Sequence, residues 1–175
     1  MAQRRLHIIG NGGHARQIHS MCINSQMYGP SDQLPLKGDV IIGVGELSAR
    51  IRLYGEFEKH RFVSVVHKCD LSRDYGHIGH GVVLMPGSIV NAGAHIGDNV
   101  IVNTGAQVDH DCYIGDHCIL SPGSILCGGV KLGMGCQIGA GAIIVQGVEL
   151  DEGTTVPAGT LVVSSDDMRR PVRSK

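Results

Sequence analysis

The sequence predicts a small α/β module followed by a parallel β-helix built from hexapeptide repeats. Three observations carry that expectation. An aliphatic residue falls at every sixth position from Ile78 to Val162, through Leu84, Val90, Ile96, Val102, Val108, Ile114, Leu120, Leu126, Leu132, Ile138, Ile144, Leu150 and Val156. Four places after each stands a small or β-branched residue, as in Val82, Ser88, Ala94, Cys112, Cys118, Ser124, Cys136 and Ala142. The place between the two columns is Gly in most turns, from Gly81 and Gly87 to Gly141 and Gly159. A period of six fits neither a helix nor a simple strand; sustained this long, it marks an array in which each unit buries its face against its neighbours.

Six residues make one flat side and three sides one coil, so the repeats give roughly five coils. The aliphatic column points inward and the small column fills the tight space beside it. Gly at the corner permits positive φ and close stacking of backbone. Such an interior has little room for rings, in keeping with a chain that has no Trp, two Phe and four Tyr. Cys112, Cys118 and Cys136 fall in the small inward column, where Cys acts as a compact apolar residue. No C-x-x-C pair exists, so the six cysteines predict neither a zinc site nor a disulfide framework.

A different kind of sequence precedes the repeats. Leu6-His7-Ile8-Ile9 reads as a buried strand ending in Gly10-Asn11-Gly12-Gly13-His14-Ala15, with a helical pattern through about Asn24. Val40 to Val44 reads as a second strand, Glu46 to about His60 as a second helix, and Arg61 to Val66 as a third strand leading into the solenoid. Tyr28 to Asp39 reads as turn, with no strand between the first helix and the second strand. These elements divide the chain into a shortened Rossmann-like module over 1–66, a β-helix over 67–163 and a tail over 164–175. A Gly-rich turn between strand and helix places backbone N–H groups at a helix N-terminus, a setting for an anion. The spacing Gly10-x-Gly12-x-x-Ala15 also matches the dinucleotide fingerprint, with Asp32 about twenty residues beyond it. The module is too short for a complete dinucleotide fold. Three readings stay open: a sugar-nucleotide or anion site, a ligand-free turn, and a dinucleotide site.

Net charge is −1, so no electrostatic basis exists for nucleic acid or membrane partners. No signal peptide and no spanning apolar run is present, which sets the expectation of a cytoplasmic protein.

Nearly the whole chain resembles the bacterial sugar acetyltransferases, typified by sialic acid O-acetyltransferases and UDP-4-amino-sugar N-acetyltransferases. The resemblance rests on Ile9-Gly10-Asn11-Gly12-Gly13-His14-Ala15, on the run from Asn103-Thr104-Gly105 through Asp109-His110-Asp111 to Ile114-Gly115, and on the hexads. It implies a left-handed β-helix, a homotrimer and acetyl-CoA as co-substrate in a groove between adjacent β-helices, with no metal. By resemblance, Gly12, Gly13, His14, Gly45 and Arg50 contact the acceptor. Ile119, Ala140 and Ala158 match contacts to acetyl-CoA, and Gly128, Gly139 and Gly159 give clearance for its pantetheine arm. Two positions depart from the family: Ile119 stands where several relatives carry His, and Glu46 where relatives often carry Asn. His117 is a weak substitute for the missing His. The basic tail Met168 to Lys175 either touches CoA phosphates or is a frayed terminus.

The central run also stands out without the family. Across the solenoid the corner column departs from Gly only at Asn99, Asp111 and His117. A repeat that relaxes its own rule in consecutive coils is where function overrides structure. His77, His80 and His95 are expected as rim residues, whereas His110 lies between two carboxylates. Acetyl transfer needs a base for the attacking nucleophile, and imidazole suits it; a neighbouring carboxylate orients the ring and raises its basicity. His110 is therefore expected as general base and Asp111 as its partner, which requires a corner at Asp111 because adjacent strand residues face apart. N-acetylation of a nucleotide-linked amino sugar is the first expectation and O-acetylation of a sialic-type sugar the second. A non-catalytic trimeric scaffold is the alternative of another class, and zinc chemistry starting from His110 and His117 a further one.

Overall fold

The computed structural model describes residues 5–29, 32 and 38–168. The module is a four-stranded parallel sheet: β1 (Leu6–Ile9), β2 (Ser25–Tyr28), β3 (Asp39–Ile42) and β4 (Arg61–Phe62), in the order β2-β1-β3-β4. Alternation along the strands separates two packing layers. Ile8 and Ile41 pack with Ala15 and Ile18 of helix α1 (Gly13–Met21) and with Val65, Val83 and Met85 of the solenoid. Ile9, Val40 and Ile42 pack with Phe62, Leu53 and Tyr54, the last two on helix α2 (Leu47–Glu56). Gly43 permits this closeness, since a Cβ there would lie 2.6 Å from Ile8 Cγ2 and 2.9 Å from Ala15 Cβ.

Three expectations for the module are corrected. β2 exists where none was expected: it is an edge strand, its apolar side chains few, and its pairing with β1 in register (Leu6 with Ser25, Ile9 with Tyr28) supplies what its sequence does not. Both helices are shorter than their patterns, α1 ending at Met21 before left-handed Asn24 and α2 at Glu56. The third strand divides, because Arg61–Phe62 pairs with β3 while Val65–Val66 already pairs with Val83–Leu84 of the solenoid.

From Val65 onward, two-residue strands stack into three parallel sheets of six, six and five strands. The first face runs from Val65–Val66 to Thr155–Val156, the second from Asp70–Leu71 to Leu161–Val162, the third from His77–Ile78 to Glu149–Leu150. Each aliphatic residue of the hexad lies inside, and from Leu84 to Val162 all are buried. Burying such a side chain contributes roughly 1.5–3 kcal/mol, so the column is the main source of cohesion. Cys112, Cys118 and Cys136 are buried and free, each thiol donating to a carbonyl of the next turn (Cys127 O, Gly133 O and Asp151 O, all at 3.2 Å).

Corners sit in the left-handed region. Gly occupies it from Gly81 to Gly159, and the solenoid's non-Gly corners are Asn99 (φ 55°), Asp111 (φ 59°) and His117 (φ 63°), with Lys68 before the repeats begin. These three positions govern the rest of the molecule. Asn99 and His117 stand on the edge between the third and first faces, where the module docks; Asp111 stands on the edge between the second and third.

Candidate active site

His110 and Asp111 occupy one corner. The turn at Asp111 swings its carboxylate onto the preceding ring, and His110 Nδ1 lies 2.8 Å from Asp111 Oδ2. A carboxylate oxygen accepts, so Nδ1 carries the proton and the neutral ring keeps its lone pair on Nε2. Asp109 completes the group. Its Oδ1 accepts from the His110 amide at 2.8 Å and from Asn91 Nδ2, one coil earlier, at 2.9 Å. The Asp111 hydrogen bond, followed by the charge of Asp109, raises the His110 pKa above its ordinary value. Asn91 and the His110 amide hold the Asp109 carboxyl below its own. Asn91 escaped the sequence analysis, although its place eighteen residues before Asp109 is the signal. His110 and Asp111 side chains are 54% and 73% exposed, so a reactant or a second protein surface can reach both.

A second concavity, of about 450 Å³, opens at the strand ends of the module. Gly12, Gly13, His14 and Gly45 line it, together with Asn11, Tyr28, Glu46 and Arg52. Gly12 caps α1 without a side-chain acceptor, and its own Cβ direction is open, so the first N–H groups of α1 are free for an anion. The second helix is closed: Glu46 accepts from Ser48 N at 2.9 Å and Ala49 N at 2.7 Å, which lowers its pKa. Burial, followed by the charge of Arg50, lowers His14 to about 4, so its ring is neutral at pH 7; its Nε2 is buried without a partner. Asp32 follows β2 closely, and its Oδ2 accepts from Gly29 N at 2.7 Å.

Arg50 does not line this pocket, which corrects its expected acceptor contact. It is fully enclosed, and donates to Ile42 O (2.6 Å), Val44 O (3.3 Å), Asn99 O (3.1 Å) and Gly81 O (3.2 Å). Burial lowers its pKa to about 9. It staples the module to the solenoid. His117 is engaged there too, its Nδ1 3.0 Å from Asn99 Nδ2 and its ring edge-on to Tyr54. It thus neither replaces the missing His nor joins His110, which stands on another edge. Within one chain the two histidines do not meet, and no group of three or more His, Cys, Asp or Glu among the described residues is placed to hold a metal ion.

The positions matched to acetyl-CoA fall elsewhere. Ala140, Ala158 and Gly159 lie exposed on the edge between the first and second faces. Ile119 lies on the first face beside Ile101 and Gln137 and is only 7% exposed. Two of the glycines also lie tight against their own chain. A Cβ on Gly139 would enter the backbone of Pro157 and Ala158, and one on Gly128 would lie 2.6 Å from His110 Nε2. Within one chain, then, the histidine edge and the Ala140–Ala158 edge bound opposite sides of the second face. The basic segment 169–175 lies outside the described residues, which close with a 3-10 turn at Ser165–Met168. His77, His80 and His95 are exposed, the first and last stacked at 5.6 Å. Among the described residues no helix is long and apolar enough to cross a membrane.

Comparison with known proteins matches this geometry. The family "Bacterial transferase hexapeptide (six repeats)" matches residues 93–128. The acetyltransferase domain of PglB from Neisseria gonorrhoeae, solved in complex with acetyl coenzyme A, is 28% identical over 93% of this chain and 92% of that chain, with a TM-score of 0.82. PerB from Caulobacter crescentus, solved in complex with CoA and GDP-perosamine, is 30% identical over 91% of this chain and 89% of that chain, with a TM-score of 0.84. WeeI from Acinetobacter baumannii shares the fold at 20% identity and a TM-score of 0.71, over 90% of this chain and 95% of that one. Among curated proteins there is no match at the significance required. A three-sided hexad solenoid, a histidine–carboxylate corner and a likeness to sugar N-acetyltransferases over nine-tenths of the sequence agree: the chain belongs to the bacterial sugar acetyltransferases built on a left-handed β-helix of hexapeptide repeats.

Proposed function

We propose that the protein transfers the acetyl group of acetyl-CoA to the amino group of a nucleotide-linked amino sugar, with His110 as general base. The single observation that carries the role of His110 is its contact with Asp111 at a left-handed corner, which leaves Nε2 unprotonated on a half-exposed ring. As the amine attacks the thioester carbonyl, Nε2 takes a proton from nitrogen; collapse of the tetrahedral adduct breaks the C–S bond, and the proton passes to the departing thiolate. The module holds the nucleotide: the open N-terminus of α1 receives the phosphates in the concavity that Tyr28 also lines. PerB, bound to CoA and GDP-perosamine, supports an amino-sugar nucleotide as acceptor.

A homotrimer completes the site in this proposal. The second face presents Ile89, Ile125, Ile143 and Leu161 outward, with Leu161 59% exposed. Cyclic packing along that face covers the apolar stripe and brings the Ala140–Ala158 edge of one subunit beside the His110 edge of the next. The acetyl donor then lies in the shared groove and the acceptor reaches it from the module.

Release of free thiol from acetyl-CoA against UDP-, GDP- and CMP-linked amino sugars and free sialic-type sugars tests the substrate class. The expected result is release with a nucleotide-linked amino sugar and an alkali-stable amide product. An alkali-labile ester product would replace N- by O-acetylation, and thiol release from none of them, with no CoA binding, would return the protein to a scaffold.

A further inference from the structure

We infer that Gly128 is the seat of the imidazole: a positioning residue whose missing side chain leaves His110 one orientation against the next coil. The inference rests on His110 being the base. In the hexad, the place just before the corner runs His80, Pro86, Ala92, Asp98, Thr104, His110, Asp116, Pro122, Gly128, Met134, Ala140, Gln146, Glu152 and Ala158. Gly stands there once, one coil after His110. The backbone does not require it, since Gly128 lies outside the left-handed region. The ring does. A Cβ on Gly128 would be 2.6 Å from both Cε1 and Nε2 of His110 and 3.2 Å from Cδ2, where ordinary contact begins at about 3.4 Å. Gly128 itself is buried beneath that ring, although the histidine is half exposed.

The carboxylate is seated the same way on the other side. A Cβ on Gly93, one coil before Asp111, would run into Asp111 Oδ1. Imidazole and carboxylate therefore lie across three coils, each on a glycine, with the 2.8 Å bond between them. The groups that face the ring are Asp109 and Asp111 of its own turn and the glycine below; the first two set its protonation. Gly93 is itself left-handed (φ 71°), so a substitution there mixes strain with the clash. Gly128→Ala does not.

Gly128→Ala should force the ring off its seat by on the order of an ångström and lower kcat by about a hundredfold. The KM for acetyl-CoA should stay within about twofold, and the acid limb of kcat should move down towards ordinary histidine as the Asp111 contact lengthens. A second comparison reads the seat without activity. Gly128→Ala should lower the melting temperature in the native background and have no effect beside His110→Ala, where no ring remains to displace. Equal destabilisation in both backgrounds overturns the inference. So does a raised KM for acetyl-CoA with kcat and its acid limb unchanged, which would make Gly128 a cofactor contact instead. Full turnover by His110→Ala alone would refute the base assignment, a result separate from either outcome.

Discussion

The two regions of the molecule bury their surfaces by opposite means. The solenoid does so by repetition: each coil sets the same aliphatic column and the same small column on the coil below, and no charged side chain enters. The module buries its two apolar layers without a repeat, one of them against Val65, Val83 and Met85 of the solenoid, and adds to that docking a fully enclosed arginine that no carboxylate among the described residues neutralises. Three corners break the Gly rule of the solenoid. Two of them, Asn99 and His117, receive the module; the third, Asp111, holds the histidine. Irregularity in a repeat is thus an address, marking docking in one place and chemistry in another.

The largest effect is expected at the staple. Arg50→Ala leaves the carbonyls of Ile42, Gly81 and Asn99 without a donor in a dry setting, a loss of about 3 kcal/mol or more. Its effect should be local: module amides such as Ile8 and Ile41 should exchange on the order of a hundredfold faster, while those of Leu120 and Leu126 keep their protection. Uniform loss of protection in both regions would mean that they are one cooperative unit, and the contrast would fail. A smaller effect of opposite sign is expected at the third irregular corner. A left-handed conformation costs a non-Gly residue about 1 kcal/mol, so Asp111→Gly should stabilise the fold by about that amount in chemical denaturation. Turnover should fall at least about tenfold, since the ring loses its orienting partner. Lower stability with full turnover would make Asp111 a structural corner only.

The same contrast explains what the sequence made legible. A period fixed by stacking writes itself into the chain, so the inward column from Ile78 to Val162 and the three odd corners were readable residue by residue. The contact of His110 with Asp111 stood there only as a condition, a corner at Asp111, which the left-handed turn supplies. The module has no period. β2 (Ser25-Gln26-Met27-Tyr28) is polar enough to pass for a loop and becomes a strand only through its partner β1. Arg50 was matched to the acceptor by resemblance alone; that four carbonyls converge on it from two regions is a fact of docking. Gly128 was hidden among glycines, and only its distance to the His110 ring separates it from those that merely turn the chain.

The central claim, that His110 is the base of acetyl transfer, is tested most directly by kcat/KM of wild type and His110→Ala with an accepted amino-sugar nucleotide as pH is varied. The neutral ring is the active form, so wild-type activity should fall as pH drops through the His110 pKa. Its midpoint should lie above the ordinary histidine value of 6.5 because Asp111 and Asp109 favour the cation. His110→Ala should lose about a hundredfold to ten-thousandfold of that activity and its acid limb, with CoA binding and assembly unchanged. Near-wild-type turnover in the variant, or a wild-type midpoint below 6.5, would contradict the account.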